Sequence, residues 1–372
     1  MVKLNLLGDW FSASGFSSHF RQFSSALHRL NKETSVETNA PANWEQMVSP
    51  EDAEMFKNNY RLETNICISS PPIWLLKKSE HPKKLIGFGV FEGSRIPTGF
   101  IKPSNAVDAI FVPSKHVYDA FKPFVDRPIF IVPEGVDMNV FKEEHTFHPQ
   151  IEEFNHATEN SAELFTFLWN KGWALGTKDR SGFDIAVKAF SEEFTKTDKV
   201  RFLAHINPAY NHPMWDIRRE MDALKLPLNN NRAPMSIMTS DLPIPLINQF
   251  YNLGDVYIST SKAEGFNLPV LEAMACGKPA IVSNYGGHLD FCDESNSWLI
   301  SGEMKRASDP NPMFEEVDWF ECNVEEVKKA MRFAYEHQDI VKKKSEEALK
   351  TARAFSWENA AKIALTSIDK LS

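Results

Sequence analysis

Apolar and polar positions fall into two successive series in which short apolar runs alternate with stretches of helical period. Lys3-Leu4-Asn5-Leu6-Leu7-Gly8 reads as a strand ending at a glycine, and Phe20, Phe23, Ala26, Leu27 and Leu30 then recur at helical spacing. Further strands are predicted at Asn65–Ser69, Lys84–Val90, Ala109–Val112 and Ile129–Val132. The stretch His145 to Ser161 is polar and has no sustained apolar period, which places a domain boundary there, between residues 155 and 156. Leu164–Trp169 opens the second series, continued by Val200–Ala204, Met235–Met238, Val256–Ser259, Ala280–Ser283 and Trp298–Ile300. Asn323 with Glu326 three residues on predicts a capped helix before Val327, Ala330, Met331 and Ala334. Alternation of this kind favours parallel sheets covered by helices, so the expected fold class is α/β with two doubly wound units in tandem.

Composition supports two cores. The chain has 372 residues, 42% apolar and 24% charged, with no apolar run long enough to span a membrane and no apolar stretch near Lys3 of secretory length. The expectation is a cytoplasmic protein. Cys67, Cys276, Cys292 and Cys322 are scattered, so neither a zinc clamp nor a disulfide framework is expected. Residues 1–150 carry 16 basic and 17 acidic side chains and the remainder 25 and 33, a balance with no general attraction for nucleic acid. The local exception is Lys77, Lys78, Lys83 and Lys84 around Pro82: either a solvated turn or a peripheral contact with an anionic surface or acceptor.

The stretch from Ser259 to Pro279 carries the chemistry. A strand ends near Ser259, a loop holds Glu264 and Gly265, Pro269 suits a first helical turn, and Gly277 and Pro279 stop the helix. The N–H groups at Phe266, Asn267 and Leu268 then point out of the carboxyl edge of the sheet, where an anionic ligand is the natural guest. Glu264-Gly265-Phe266-Asn267-Leu268-Pro269-Val270-Leu271-Glu272-Ala273-Met274-Ala275 closely resembles the glutamate pair of the retaining nucleotide-sugar glycosyltransferases of family four, also called group one: E-G-F-x-L-P-x-x-E-A-M-A-x-G-x-P.

Other segments resemble the same family in the same order. Gly8 to Phe16, with Gly15, resembles its first glycine-containing loop; Val112-Pro113-Ser114 its N-domain strand end; Pro133-Glu134-Gly135-Val136-Asp137 with Phe141 its hinge; and Phe355-Ser356-Trp357-Glu358 the start of its last helix. The resemblance implies a GT-B fold: two Rossmann-like domains with the catalytic cleft between them, residues 1–155 binding acceptor, 156–354 binding the nucleotide sugar, and 355–372 crossing back to the first domain. It implies that Glu264 grips the donor sugar, Glu272 the ribose, the N–H groups of Phe266 to Leu268 the sugar and diphosphate, and the main chain near Thr239 the base. It further implies transfer with retention and without a metal; no Asp-x-Asp occurs in the chain.

One departure concerns the diphosphate clamp. Where the family has Arg-Lys-Gly, this chain reads Arg180-Ser181-Gly182, so Lys171, Lys178 and Arg180 all remain candidates. Gly87 to Pro97 superficially suggests a dinucleotide fingerprint, but its third glycine is misplaced and Pro97 interrupts the helix. That stretch is more similar to a family segment beside the acceptor, which makes Glu92 a candidate for contacting the acceptor hydroxyl. His19 and His116 receive no catalytic role. The competing readings are a non-catalytic nucleotide-sugar-binding or scaffolding protein on the same fold, and a nucleotide-sugar epimerase.

Overall fold

The computed structural model describes residues 2–12, 14–158, 161–173, 175–207, 216–226 and 231–371. Ala13 of the first loop and Ala174 of the clamp segment lie outside them. The chain forms two compact units, Met1–Gly135 with Phe355–Ser372, and Val136–Ala354.

The first unit holds a parallel sheet of β1 (Leu4–Leu7), β2 (Thr34–Glu37), β3 (Thr64–Ile68), β4 (Lys84–Phe88), β5 (Ala109–Val112) and β6 (Ile129–Ile131), in the order β2-β1-β3-β4-β5-β6. Helix Gly15–Leu30 begins where the Ser14 side chain accepts from Ser17 N, and it buries Phe20, Phe23, Ala26 and Leu27. The C-terminal helix Trp357–Asp369, capped by Ser356, packs on this helix. β2, with the short sequence Thr-Ser-Val-Glu in which only Val36 is apolar, has too little pattern to be predicted from sequence. Gly87 and Gly89 are explained by packing, since a Cβ on either would strike the ring of the buried Trp74.

The second unit repeats the plan. Its sheet contains β7 (Phe165–Lys171), β8 (Val200–Ile206), β9 (Met235–Met238), β10 (Val256–Ser259), β11 (Ala280–Ser283) and β12 (Ser297–Ile300), all parallel, in the order β12-β11-β10-β7-β8-β9. A core of Phe167, Trp169, Phe183, Phe190 and Phe202 lies on one face, with Val327 and Met331 of helix Val324–Glu336 packed into it. An antiparallel hairpin of β13 (Gly302–Arg306) and β14 (Asp318–Cys322) is added, and β13 is exposed along its whole length, which left no apolar signal to predict it.

The division between units falls at residue 135/136, ahead of the polar stretch in which sequence placed it. Side-chain amides draw that stretch into the second unit. Asn248 Oδ1 accepts from Lys142 N at 2.9 Å, Asn252 Oδ1 from Glu144 N at 3.1 Å, and Gln249 Oε1 from His148 N at 2.7 Å. Helix Pro149–His156 then buries Ile151 against Met238, Leu242 and Leu246. These anchors are polar or isolated, so no apolar period marks them.

Candidate active site

The carboxyl edge of the second sheet gathers most of the predicted residues. β7 ends in Lys171, and the loop after β10 carries Ser261, Lys262 and Glu264 into helix Leu268–Ala275. Asn267 precedes that helix in a left-handed conformation, φ 81°. An L residue adopts this at a cost, and asparagine tolerates it better than most. Its side chain caps nothing; Oδ1 accepts from Lys171 Nζ at 2.7 Å, while Nδ2 donates to Ser259 Oγ at 3.0 Å.

Lys171 is buried, and its ammonium donates to three oxygens: Ser261 Oγ at 2.6 Å, Glu264 Oε1 at 2.7 Å and Asn267 Oδ1 at 2.7 Å. An ammonium has three hydrogens, so this set saturates it. Arg180 lies 3.5 Å from Glu264 Oε2 and donates to Ala263 O at 3.2 Å, with its side chain 35% exposed. Burial pushes the Glu264 carboxyl up, but the charges of Lys171 and Arg180, with hydrogen bonds from Lys171 and Ser261, outweigh it and hold the group at about 2. Burial pushes the Lys171 ammonium down against the pull of Glu264.

Of the three clamp candidates, the structure therefore brings Lys171 and Arg180 to Glu264, whereas Lys178 is exposed in the preceding turn. A cation that sequence reasoning left without a role, Lys262, is buried and donates to Thr177 O at 2.7 Å, with Asp184 Oδ2 at 3.5 Å. Burial raises the Asp184 carboxyl to about 6 despite the neighbouring Lys262. The same loop crosses Gly182, φ 73°, so closely that a Cβ there would stand 2.0 Å from Thr260 O. Lys262 N also donates to Arg180 O at 2.8 Å, so the Arg180 segment is stitched to the Glu264 loop.

Glu272, half-buried one turn into the helix, accepts from the Tyr251 hydroxyl at 2.9 Å. Thr239 is exposed just past the end of β9, and Phe266 is a core residue with its ring centroid 5.1 Å from that of Phe291. Leu268 is the first helical residue, where N–H groups lack partners within the helix. Gly287 N donates to Glu264 O at 2.9 Å and supports the loop from the side of β11. Tyr251, Ser261 and Gly287 were missed as contributors because each meets its partner only through the sheet.

Gly15 and Glu92 lie in the first unit. Gly15 opens the helix after β1, beside Asp9, whose carboxylate accepts from Phe11 N at 3.1 Å and Ser17 Oγ at 2.8 Å. Glu92 follows β4, and its main-chain oxygen accepts from His116 Nε2 at 3.2 Å, giving His116 a packing role. His19 is buried with Nδ1 2.8 Å from the Glu134 carboxylate, a pair that sequence did not reveal. Three of the four clustered lysines have partners: Lys77 with Glu37 and Glu80, Lys78 with Asp108, and Lys84 with Leu371 O.

Residues 230–338 match the family model described as glycosyl transferases group 1. No curated protein sequence matches the chain. Among solved structures, sucrose-phosphate synthase from Thermosynechococcus elongatus is similar at 15% identity and TM-score 0.71, over 99% of this chain and 98% of that one. HepE of Anabaena in complex with UDP-glucose is similar at 14% identity and TM-score 0.69, over 99% of this chain and all of that one. A glycosyltransferase from Rickettsia africae is similar at 18% identity and TM-score 0.67, over 99% and 98% of the two chains. The fold is thus GT-B, with two Rossmann-like domains, and the matched segment on that fold supports a glycosyltransferase.

Proposed function

We propose that this protein is a retaining glycosyltransferase that moves a sugar from a nucleotide-sugar donor, with a uridine nucleotide as the first candidate, to an acceptor hydroxyl. The observation that carries the reading is the Glu264 carboxylate, kept ionised by Lys171 and Arg180 at the mouth of the second sheet. Two structurally similar proteins bind UDP-glucose or UDP with a sugar, HepE of Anabaena and the pneumococcal O-GlcNAc transferase GtfA.

Cleavage of a sugar–nucleotide bond builds positive charge on the sugar and negative charge on the departing diphosphate. Glu264 faces the first, gripping sugar hydroxyls. Arg180 and the N–H groups of Phe266, Asn267 and Leu268 meet the second, and fixed cations with a helix N-terminus can do this without a metal. Lys171 has all three hydrogens engaged, so its work is to hold Glu264 in place. Glu272 takes the ribose hydroxyls and the main chain at Thr239 the base. Acceptor binding falls to the first unit, with Gly15 in the loop after β1 and Glu92 toward the acceptor hydroxyl. In these roles the first unit, Met1–Gly135 with Phe355–Ser372, takes the acceptor and the second, Val136–Ala354, the nucleotide sugar.

The saturation of Lys171 and the serine at 181 leave a sparser cation set than the family pattern, which favours a second reading: a protein that binds nucleotide sugars without turning them over. A panel of nucleotide sugars tested by thermal shift and by nucleotide release separates the two. Release of nucleoside diphosphate, with an α-linked product from an α-linked donor, supports the transferase. Stabilisation without release supports the binder, and an inverted product overturns retention.

A further inference from the structure

Five groups of the second unit form an unbroken polar run behind Glu272. His205 Nε2 lies 2.8 Å from Ser240 O, and His205 Nδ1 lies 2.7 Å from Asn170 Oδ1. Asn170 Nδ2 donates to Tyr251 Oη at 2.8 Å, and the Tyr251 hydroxyl donates to Glu272 Oε2 at 2.9 Å. Asn170, His205 and Tyr251 are all buried, and Tyr257 pins the end of β7 by donating to Asn170 O at 3.0 Å.

Counting hydrogens shows that the run has two states. The Ser240 carbonyl can only accept, so Nε2 always carries a hydrogen. With Asn170 Oδ1 facing Nδ1, a second ring hydrogen is needed, and His205 is an imidazolium. In a neutral imidazole Nδ1 is an acceptor, so the Asn170 amide must turn its NH2 toward it. Asn170 Oδ1 then faces Tyr251. A phenol has one hydrogen, so Tyr251 then has two acceptors, Asn170 and Glu272, competing for it, and its hold on Glu272 weakens.

We infer that Tyr251 is a positioning residue for Glu272, its hydroxyl direction set by His205 through Asn170. With His205 neutral, Asn170 competes for the Tyr251 hydrogen and an incoming hydroxyl pair displaces it from Glu272 more easily; with His205 protonated, the Tyr251 hydrogen is committed to Glu272. Burial holds His205 below its ordinary value while Ser240 O and Asp241 pull it upward, so the neutral state is the working one near pH 7. Burial keeps Tyr251 protonated throughout. Among the described residues, β7 presents Asn170 to the ring, the segment after β9 presents Ser240 and the charge of Asp241, and helix Ile244–Tyr251 presents the Phe250 ring at 5.9 Å. The ligand side of this inference rests on Glu272 as the ribose carboxylate; the relay itself does not.

Nitrogen-detected NMR of the ligand-free protein tests the relay. Near pH 7 His205 should be the Nε2–H tautomer. Its titration midpoint should fall by about half a pH unit or more in Tyr251→Phe and in Glu272→Gln, because the first removes the hydroxyl that accepts from Asn170 and the second the negative charge behind it, both of which favour the imidazolium. An Nδ1–H tautomer, or midpoints unchanged in both variants, overturns the inference; Glu272→Gln, at a half-buried site, keeps the test open if Tyr251→Phe fails to fold. UDP-glucose calorimetry tests the consequence: wild-type affinity should weaken several-fold as pH falls through the His205 midpoint, and Tyr251→Phe should flatten that dependence. Flat wild-type affinity across the midpoint overturns the positioning role. If wild type binds no UDP-glucose at all, the donor reading loses its uridine nucleotide, and the NMR result still decides the relay.

Discussion

Lys171 Nζ and Glu264 Oε1 stand 2.7 Å apart, a buried ion pair joining the end of one central strand to the loop after its neighbour, 93 residues away in the chain. The pair is polar at both ends, yet it fixes the carboxylate on which the proposed chemistry depends. A buried charge left without its partner is costly, so each member enforces the presence of the other.

Glu264→Gln should keep the fold and reduce turnover by about two orders of magnitude or more, the scale for losing one preorganised electrostatic contact. Initial rates at saturating donor measure it. Near-normal turnover with every active donor removes Glu264 from the mechanism.

The same pair makes an acid-side stability prediction. A Glu264 carboxyl ordinarily near 4.5 when unfolded and held at about 2 when folded contributes stability that is fully present above 4.5 and lost as pH falls toward 2. Thermal midpoints recorded across that window should drop more steeply in wild type than in Glu264→Gln. Equal slopes would show that the carboxylate titrates alike in both states.

Arg180→Ala should cost about 2–4 kcal/mol of transition-state stabilisation and weaken UDP along with the rate, while leaving uridine binding nearly unchanged. Lys178→Ala, at an exposed position, should change neither. The UDP-against-uridine comparison cancels any general damage to the domain, and an intact UDP affinity in Arg180→Ala moves the clamp elsewhere.

Glu272→Ala should raise the donor Michaelis constant more than it slows saturated turnover, because a ribose contact is made alike in ground and transition states. A lower rate at unchanged donor affinity would mean that the roles of Glu264 and Glu272 are interchanged.

Two kinds of information were unequally legible. The strands that carry the site were readable because parallel strands buried on both faces are runs of Leu, Ile, Val and Phe, as in Ile110-Phe111-Val112 and Ala280-Ile281-Val282. Glu264 and Glu272 could be singled out because they stand in one contiguous segment that resembles a family motif, on a loop, helix start and helix stop that are local events. β13 was not, since its residues face water on a two-stranded hairpin, and neither was the helix Pro149–His156, whose attachment depends on amides of Asn248, Gln249 and Asn252 about a hundred residues away.

The sequence by itself therefore determined the α/β series and the order of its strands along the chain, because periodicity, capping and turn chemistry act within a few residues, and it singled out the two glutamates with seven residues between them through the family resemblance of the contiguous segment that holds them. Only the tertiary structure decided which cations reach Glu264. Lys171, Lys178 and Arg180 were equivalent as letters; strand order put the first beside β10, the close crossing at Gly182 brought Arg180 to Glu264, and the turn between them left Lys178 in water. The run from His205 to Glu272 was equally invisible, since its members come from two strands and two helices and meet only when the sheet has assembled.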